Sequence, residues 1–234
     1  KGFQVQVNGA TVATVARRDQ ADAIADQMRG VLRDPQFDPT TLRTGIVDGK
    51  PAGLAGDRLL FVVSSSVSRR QGQNAEILAI EWINNLRAAF DQEPVTLSAA
   101  QYQMWALSKT GKTLEGTASW YGPRFHGRLT ANGEIFDQNT LTAAHPSLPF
   151  NTYLEVTNLK TGRSVVVRIN DRGPYIGQRS LDLSRAAARC LDSESSGVIR
   201  YRASILQQAP NKGNVEVAPE PLLAEQDGRL ARRN

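Results

Sequence analysis

The chain has 234 residues, 40% of them hydrophobic, with 28 basic against 23 acidic side chains and a formal net charge of +5. That is enough apolar material for one large domain or two ordinary ones, and the positive balance favours an anionic partner, nucleic acid and an acidic wall polymer both fitting the charge. A single cysteine, Cys190, excludes an internal disulfide and a thiolate-rich metal site; no apolar run approaches the roughly 18 residues of a membrane span; and the sequence opens Lys1-Gly2-Phe3 without Met or a signal peptide, so that any export signal is expected to have been trimmed away or left out.

In chain order, residues 3–7 and 11–15 alternate apolar and polar side chains around Asn8-Gly9, which predicts a hairpin. Ala21, Ile24, Ala25, Met28 and Leu32 then fall at helical spacing, with Asp19 as the expected N-cap and Asp34-Pro35 as the stop. A second hairpin is expected from Gly45-Ile46-Val47 through Asp48-Gly49-Lys50-Pro51 to residues 58–63, and an amphipathic helix over 74–90. Hairpin, helix, hairpin, helix reads as a small α+β domain over 1–93. It carries no His, no Cys and no catalytic spacing, which points to a structural or partner-binding module. Residues 94–113 read as a linker, with Trp105 as a packing anchor between domains. From 114 to 206 the pattern turns mainly β, with short strands expected at 116–121, 152–157, 164–170, 180–183 and 198–206. One helix starts at Ser184 as N-cap and runs to Cys190, whose thiol is expected to pack as a small hydrophobe. Residues 207–234 read as a flexible tail.

The chemistry-bearing residues sit beside chain reversals in the second domain. Glu134 follows Asn132-Gly133, and Asp171 lies where the apolar strand Val165-Val166-Val167 runs out into Arg172-Gly173-Pro174. Two carboxylates displayed from separate strand ends suit cleavage of a glycosidic bond, although either residue is equally at home in a plain turn. His145 precedes Pro146, which keeps it out of a helix and in a loop. Asp182 either caps the helix beginning at Ser184 or lines the groove, two alternatives that the sequence leaves open. Trp120, Tyr121 and Tyr175 are the aromatics near these turns, suited to stacking on sugar rings or to core packing. Arg124, Arg128, Arg168, Arg172 and Arg179 give the region its positive sign. His126 is a weaker candidate than His145, and two histidines without a His-Glu-x-x-His pattern give no zinc signature. No glycine-rich phosphate loop and no Gly-x-Ser-x-Gly motif occurs.

These same blocks carry a resemblance. Gly116-Thr117-Ala118-Ser119-Trp120-Tyr121-Gly122, His126-Gly127-Arg128-Leu129-Thr130-Ala131-Asn132-Gly133-Glu134, Leu141-Thr142-Ala143-Ala144-His145, Arg168-Ile169-Asn170-Asp171-Arg172-Gly173-Pro174 and Leu181-Asp182-Leu183-Ser184 closely resemble, in order, the rare lipoprotein A family. The resemblance implies a six-stranded double-psi β-barrel over 114–206 and a peptidoglycan lytic transglycosylase that leaves a 1,6-anhydro end. It places Asp171 and Glu134 as the essential acids, Asp171 being the expected acid/base, and His145 in the groove. Asp182 matches a position important in expansin-like relatives, and Trp120, Tyr121, Arg172 and Tyr175 are the further expected substrate contacts. The first domain is similar to an extension found on some cyanobacterial members and offers a surface for a divisome or envelope protein. The expected substrate is the peptidoglycan glycan strand in the periplasm or cell envelope, at the septum among other places, with lipoprotein anchoring left open. No cofactor, metal or nucleic-acid partner is expected. The alternative is an expansin-like module that grips the wall without cutting it.

Overall fold

In the computed structural model, which describes residues 2–175 and 177–209, two cores meet across one strand of a barrel. The first core begins with a hairpin, β1 (Phe3–Val7) and β2 (Ala10–Val15), turning through Asn8 and Gly9 at φ 52° and 80°. Both turn residues are left-handed, which is the geometry that an Asn-Gly pair supplies without strain. Helix α1 (Arg18–Leu32) starts one residue before the expected cap: Arg17 is the N-cap and Asp19 lies in the first turn, paired with the Arg17 guanidinium. Strands β3 (Leu42–Val47), β4 (Lys50–Ala55) and β5 (Arg58–Val62) form an antiparallel meander, not the single hairpin expected from the sequence. Pro51 and Gly53 disguised β4 as a loop. Gly53 is there because a Cβ would sit 2.3 Å from the Phe61 ring and 2.9 Å from Ile83.

Helix α2 (Ser65–Gln71) stops at Gly72, whose φ is 64°. Helix α3 (Ala75–Ala88) begins at Asn74, whose Oδ1 accepts from the Glu76 and Ile77 amides. It drives Leu78, Trp82, Ile83 and Leu86 into a core shared with Val12, Leu42, Leu60 and Phe61. Residues 94–113 are not an extended linker. They hold helix α4 (Leu97–Trp105), N-capped by Thr96, and the first half of strand β6 (Leu107–Trp120). Ala100 and Met104 of α4 are buried in the first core. No helix among the described residues is long and apolar enough to cross a membrane.

The second core is a closed barrel of six strands. It comprises β6, β7 (Thr142–Ala144), β8 (Tyr153–Asn158), β9 (Ser164–Asp171), β10 (Arg179–Leu183) and β11 (Ile199–Gln208), in the order β10-β6-β11-β8-β9-β7. β10 runs parallel to β6 and β7 parallel to β9, and the other pairs are antiparallel. Strand β7 is too short to show alternation, so its sequence carried no strand signal. Helix α5 (Arg185–Cys190) is N-capped by Ser184, as expected, and burial pushes the Cys190 thiol up to about 11. The expected tail lies outside the described residues from 210 onward; Gln207 and Gln208 belong to β11.

Strand β9 joins the two cores. Val165, Val167 and Ile169 point into the barrel, while Val166, Arg168 and Asn170 face the other way. Val166 packs outside with Leu107, Leu206, Tyr102, Trp105 and Tyr153, so that Trp105 is the interdomain anchor expected from the sequence. Gln101 of α4, only 1% exposed, grips the Val166 peptide at both ends: its Nε2 donates to Val166 O at 2.9 Å and its Oε1 accepts from Val166 N at 2.8 Å. Gln101→Ala leaves that buried amide and carbonyl unpaired. It should destabilise the protein by about 2–3 kcal/mol, measured by urea unfolding, with Ser204→Ala on strand β11 as a near-neutral comparison.

Candidate active site

The loop between β6 and β7 makes a small excursion closed by a bridge between Leu129 and Ile135. Its tip is locally determined. Thr130 N donates to Glu134 O at 2.8 Å, Gly133 N to Thr130 O at 3.0 Å, and Glu134 N to Asn132 Oδ1 at 3.1 Å. Gly133, at φ 90°, occupies a conformation that a side chain would oppose.

This tip rests on the end of β9. Arg168 Nη1 and Nη2 donate to the two Glu134 carboxylate oxygens at 2.8 Å each, and Asn170 Nδ2 donates to Oε2 at 3.1 Å. Such a two-pronged fork is the strongest arrangement available to a carboxylate. It holds the Glu134 pKa down at about 2, with the Arg168 hydrogen bonds the largest cause. Ala131 N, at the same tip, donates to Asp171 Oδ1 at 2.8 Å. Asp171 also accepts from Arg172 N at 2.8 Å and, on Oδ2, from the Tyr121 hydroxyl at 2.9 Å. Burial, with Asp171 next, pushes the Tyr121 phenol far above its usual range, so it stays a donor.

Asp171 and Asp182 flank one residue of β7: Ala144 is the register partner of both. Burial raises the Asp182 pKa, and the Asp171 charge adds to the rise, while Ser119 Oγ donates to Asp182 Oδ1 at 2.7 Å. Asp182 therefore faces this cluster; the cap of α5 is Ser184 alone. His145 N donates to Asp171 O at 3.2 Å, and its Nδ1 accepts from Ser147 N and Leu148 N at 3.1 and 3.0 Å. A ring nitrogen that accepts twice is unprotonated, and burial together with Arg172 lowers the His145 pKa further. His145 is a neutral imidazole with Nε2–H left to donate. The Arg172 guanidinium lies 3.8 Å over the Phe150 ring, a cation–π contact, and Tyr175 is 79% exposed beside the cluster.

The structure thus brings together Glu134, Asp171, Asp182, His145, Tyr121, Arg172 and Tyr175. Trp120 stands apart: its indole donates to Glu194 O at 3.1 Å and its ring packs on the barrel core, because successive strand residues face opposite ways. His126 is likewise elsewhere, accepting from Gln138 N. Sequence reading missed Asn170, and saw in Arg168 only positive charge; their partner Glu134 is 34 and 36 positions away along the chain. Among the described residues, no three His, Cys, Asp or Glu side chains converge to hold a metal ion.

The Glu134–Arg168 pair has a pH signature. Its contribution to stability is fully present above the ordinary Glu value of 4.5 and is lost as pH falls from there to about 2. The Glu134 side chain is 43% exposed, so solvent screening leaves about 1 kcal/mol. Urea midpoints measured down through this window should fall more steeply for the native protein than for Arg168→Met.

The closed barrel with a carboxylate groove at the end of β9 is a double-psi β-barrel domain. Residues 113–203 match the family described as lytic transglycolase. The chain is 42% identical over 200 residues to a probable endolytic peptidoglycan transglycosylase RlpA of Synechocystis sp., covering 81% of this chain and 62% of that protein. It is 46% identical over 123 residues to the endolytic peptidoglycan transglycosylase RlpA of Campylobacter jejuni, covering 52% of this chain and 44% of the other. Among solved structures, the apo expansin of Clavibacter michiganensis aligns with a TM-score of 0.35 and 22% identity over 42% of this chain and 52% of that one. Residues 113–203 form a domain of the RlpA-like double-psi β-barrel family. The chain spans under two thirds of the length of these curated relatives.

Proposed function

We propose that this protein is an endolytic peptidoglycan lytic transglycosylase. The observation that carries the reading is the unequal treatment of two carboxyls tied to one loop tip. Glu134 is locked as an anion by the Arg168 fork, whereas Asp171 is oriented by two backbone amides and a phenol and has no charged partner among those contacts. An acid held at about 2 gives up no proton at neutral pH, so Glu134 supplies negative charge and Asp171 moves the proton.

The Asp171 carboxyl protonates the glycosidic oxygen between N-acetylmuramic acid and N-acetylglucosamine, and the bond from the muramic C1 to that oxygen breaks. Positive charge grows on C1 and its ring oxygen, opposite the fixed Glu134 carboxylate. Asp171, now a base, takes the proton from the muramic C6 hydroxyl as O6 bonds to C1. The product is a 1,6-anhydro end; the acid is regenerated and no water is consumed. Neutral His145 and the Tyr175 ring hold the sugar, and Asp182, kept nearer its protonated form, hydrogen-bonds a sugar hydroxyl. Such a reaction places the protein in the cell envelope, and two named relatives carry the same activity in their names. Digestion of purified sacculi followed by mass analysis tests this. Soluble 1,6-anhydro-muropeptides are expected; binding to sacculi without release of fragments overturns the enzyme and leaves a wall-gripping module.

A further inference from the structure

Arg168 also borders a stretch of the barrel wall that Glu134 does not line. That stretch faces the first domain across a cavity of about 160 Å³ lined by Glu76, Gln101, Trp105, Tyr153 and Arg168. At roughly 30 Å³ per water this space holds about five waters. Among the described residues its one acid is Glu76, in the first turn of α3. Asn74 sets the start of that helix and also reaches the barrel, donating to Asn139 O at 2.9 Å. Trp105 Nε1 donates to Glu76 Oε2 at 3.1 Å, and Gln101 Nε2 donates to the same oxygen at 3.2 Å. That Gln101 amide grips the Val166 peptide, two residues before Arg168 on the same face of β9. The Glu76 carboxyl is thus tied to β9 through the Gln101 amide of α4.

We infer that Glu76 of the first domain is a positioning residue for the barrel's chemistry, holding the Arg168 guanidinium so that its two amino groups face Glu134. Arg168 is under the influence of carboxyls from two domains. Glu134 takes both prongs of the fork, Asn151 Oδ1 accepts a further bond from Nη1 at 2.7 Å, and Glu76, which lines the same cavity without a direct ion pair to Arg168, acts on the guanidinium through its charge. The Tyr153 hydroxyl is the other titratable group facing Arg168. Burial drives the Glu76 pKa up, and the Trp105 and Gln101 hydrogen bonds and the Arg168 charge oppose that rise. A long arginine side chain loses its preferred orientation easily when one of its partners goes. The first domain, which has no catalytic pattern of its own, therefore acts on the reaction through one arginine.

This inference rests on the transglycosylase reading only for its kinetic arm. Glu76→Gln keeps the volume and an oxygen to accept from Trp105 and Gln101, removing only the charge. Tyr102→Phe removes a different interdomain bond, from the Tyr102 hydroxyl to Glu155 Oε2 at 2.8 Å, and serves as the docking control. The Glu134 carboxyl is titrated by carbon-13 NMR in the full chain. With Glu76→Gln its pKa rises from about 2 towards 4.5 as the fork loosens, and with Tyr102→Phe it stays. If Arg168 were rigid without Glu76, losing the Glu76 charge would instead lower the Glu134 pKa, so a fall or no change overturns the inference. On sacculi, Glu76→Gln lowers kcat about five-fold with KM within about two-fold, and Tyr102→Phe changes neither. A native protein that releases no anhydro products sinks the transglycosylase reading, while the NMR arm still decides the role of Glu76.

Discussion

Asp171→Asn should stop the proposed release of anhydro-muropeptides from sacculi, an expected loss of about 10³-fold, and leave the folded protein nearly as stable as before. The substitution is conservative in every contact but one. The oxygen of the introduced amide still accepts from Ala131 N and Arg172 N, now 2.8 Å from Asp171 Oδ1, and its nitrogen meets the Tyr121 oxygen, which turns from donor to acceptor. What disappears is the ability to carry a proton. Product release by mass analysis, alongside thermal unfolding, separates the two effects. A variant within about ten-fold of the native rate would move the acid/base role to Asp182, across Ala144, and Asp182→Asn would then carry the large loss.

Glu134→Gln should lower kcat of the proposed reaction about 10²-fold with little change in KM, because charge that forms only in the transition state loses its counterpart. Here stability falls as well, by about 1–2 kcal/mol, since a neutral amide turns one donor towards a guanidinium that is all donors. The two losses are measured separately, by initial rates on sacculi and by urea unfolding. Rates that drop only in proportion to the unfolded fraction would make Glu134 a structural residue.

Much of the barrel was legible because its strands carry their own signals. Val165-Val166-Val167 is an unbroken run of β-branched residues, and Asn158-Leu159-Lys160-Thr161-Gly162 marks the reversal from β8 to β9. Strands β4 and β7 were not: the first hides behind Pro51 and Gly53, and the second has only Thr142, Ala143 and Ala144. Helix α4 was read as a linker because its buried face is made of Ala100, Gln101 and Met104, a polar amide among small or flexible side chains. In the site, the acids and His145 were visible as residue types beside turns. Their partners were not, because pairing is a property of the folded chain. Glu76 is the extreme case: an acid in the first turn of an amphipathic helix reads as helix chemistry, and only the folded chain sets it on the same cavity as Arg168. Trp120 shows the converse, a residue type that fits sugar but faces the core.

Both carboxyls of the site are referred to a single length of chain. Glu134 hangs from Arg168 and Asn170, Asp171 is the next residue of the same strand, and the loop tip that ties them is five residues long, from Thr130 to Glu134. The gap between the two acids therefore behaves like a dimension cut from one part and not like a tolerance accumulated over an assembly. Breathing of the barrel carries both jaws together, so substitutions in its far wall should alter how long the protein lasts without altering what it can grip.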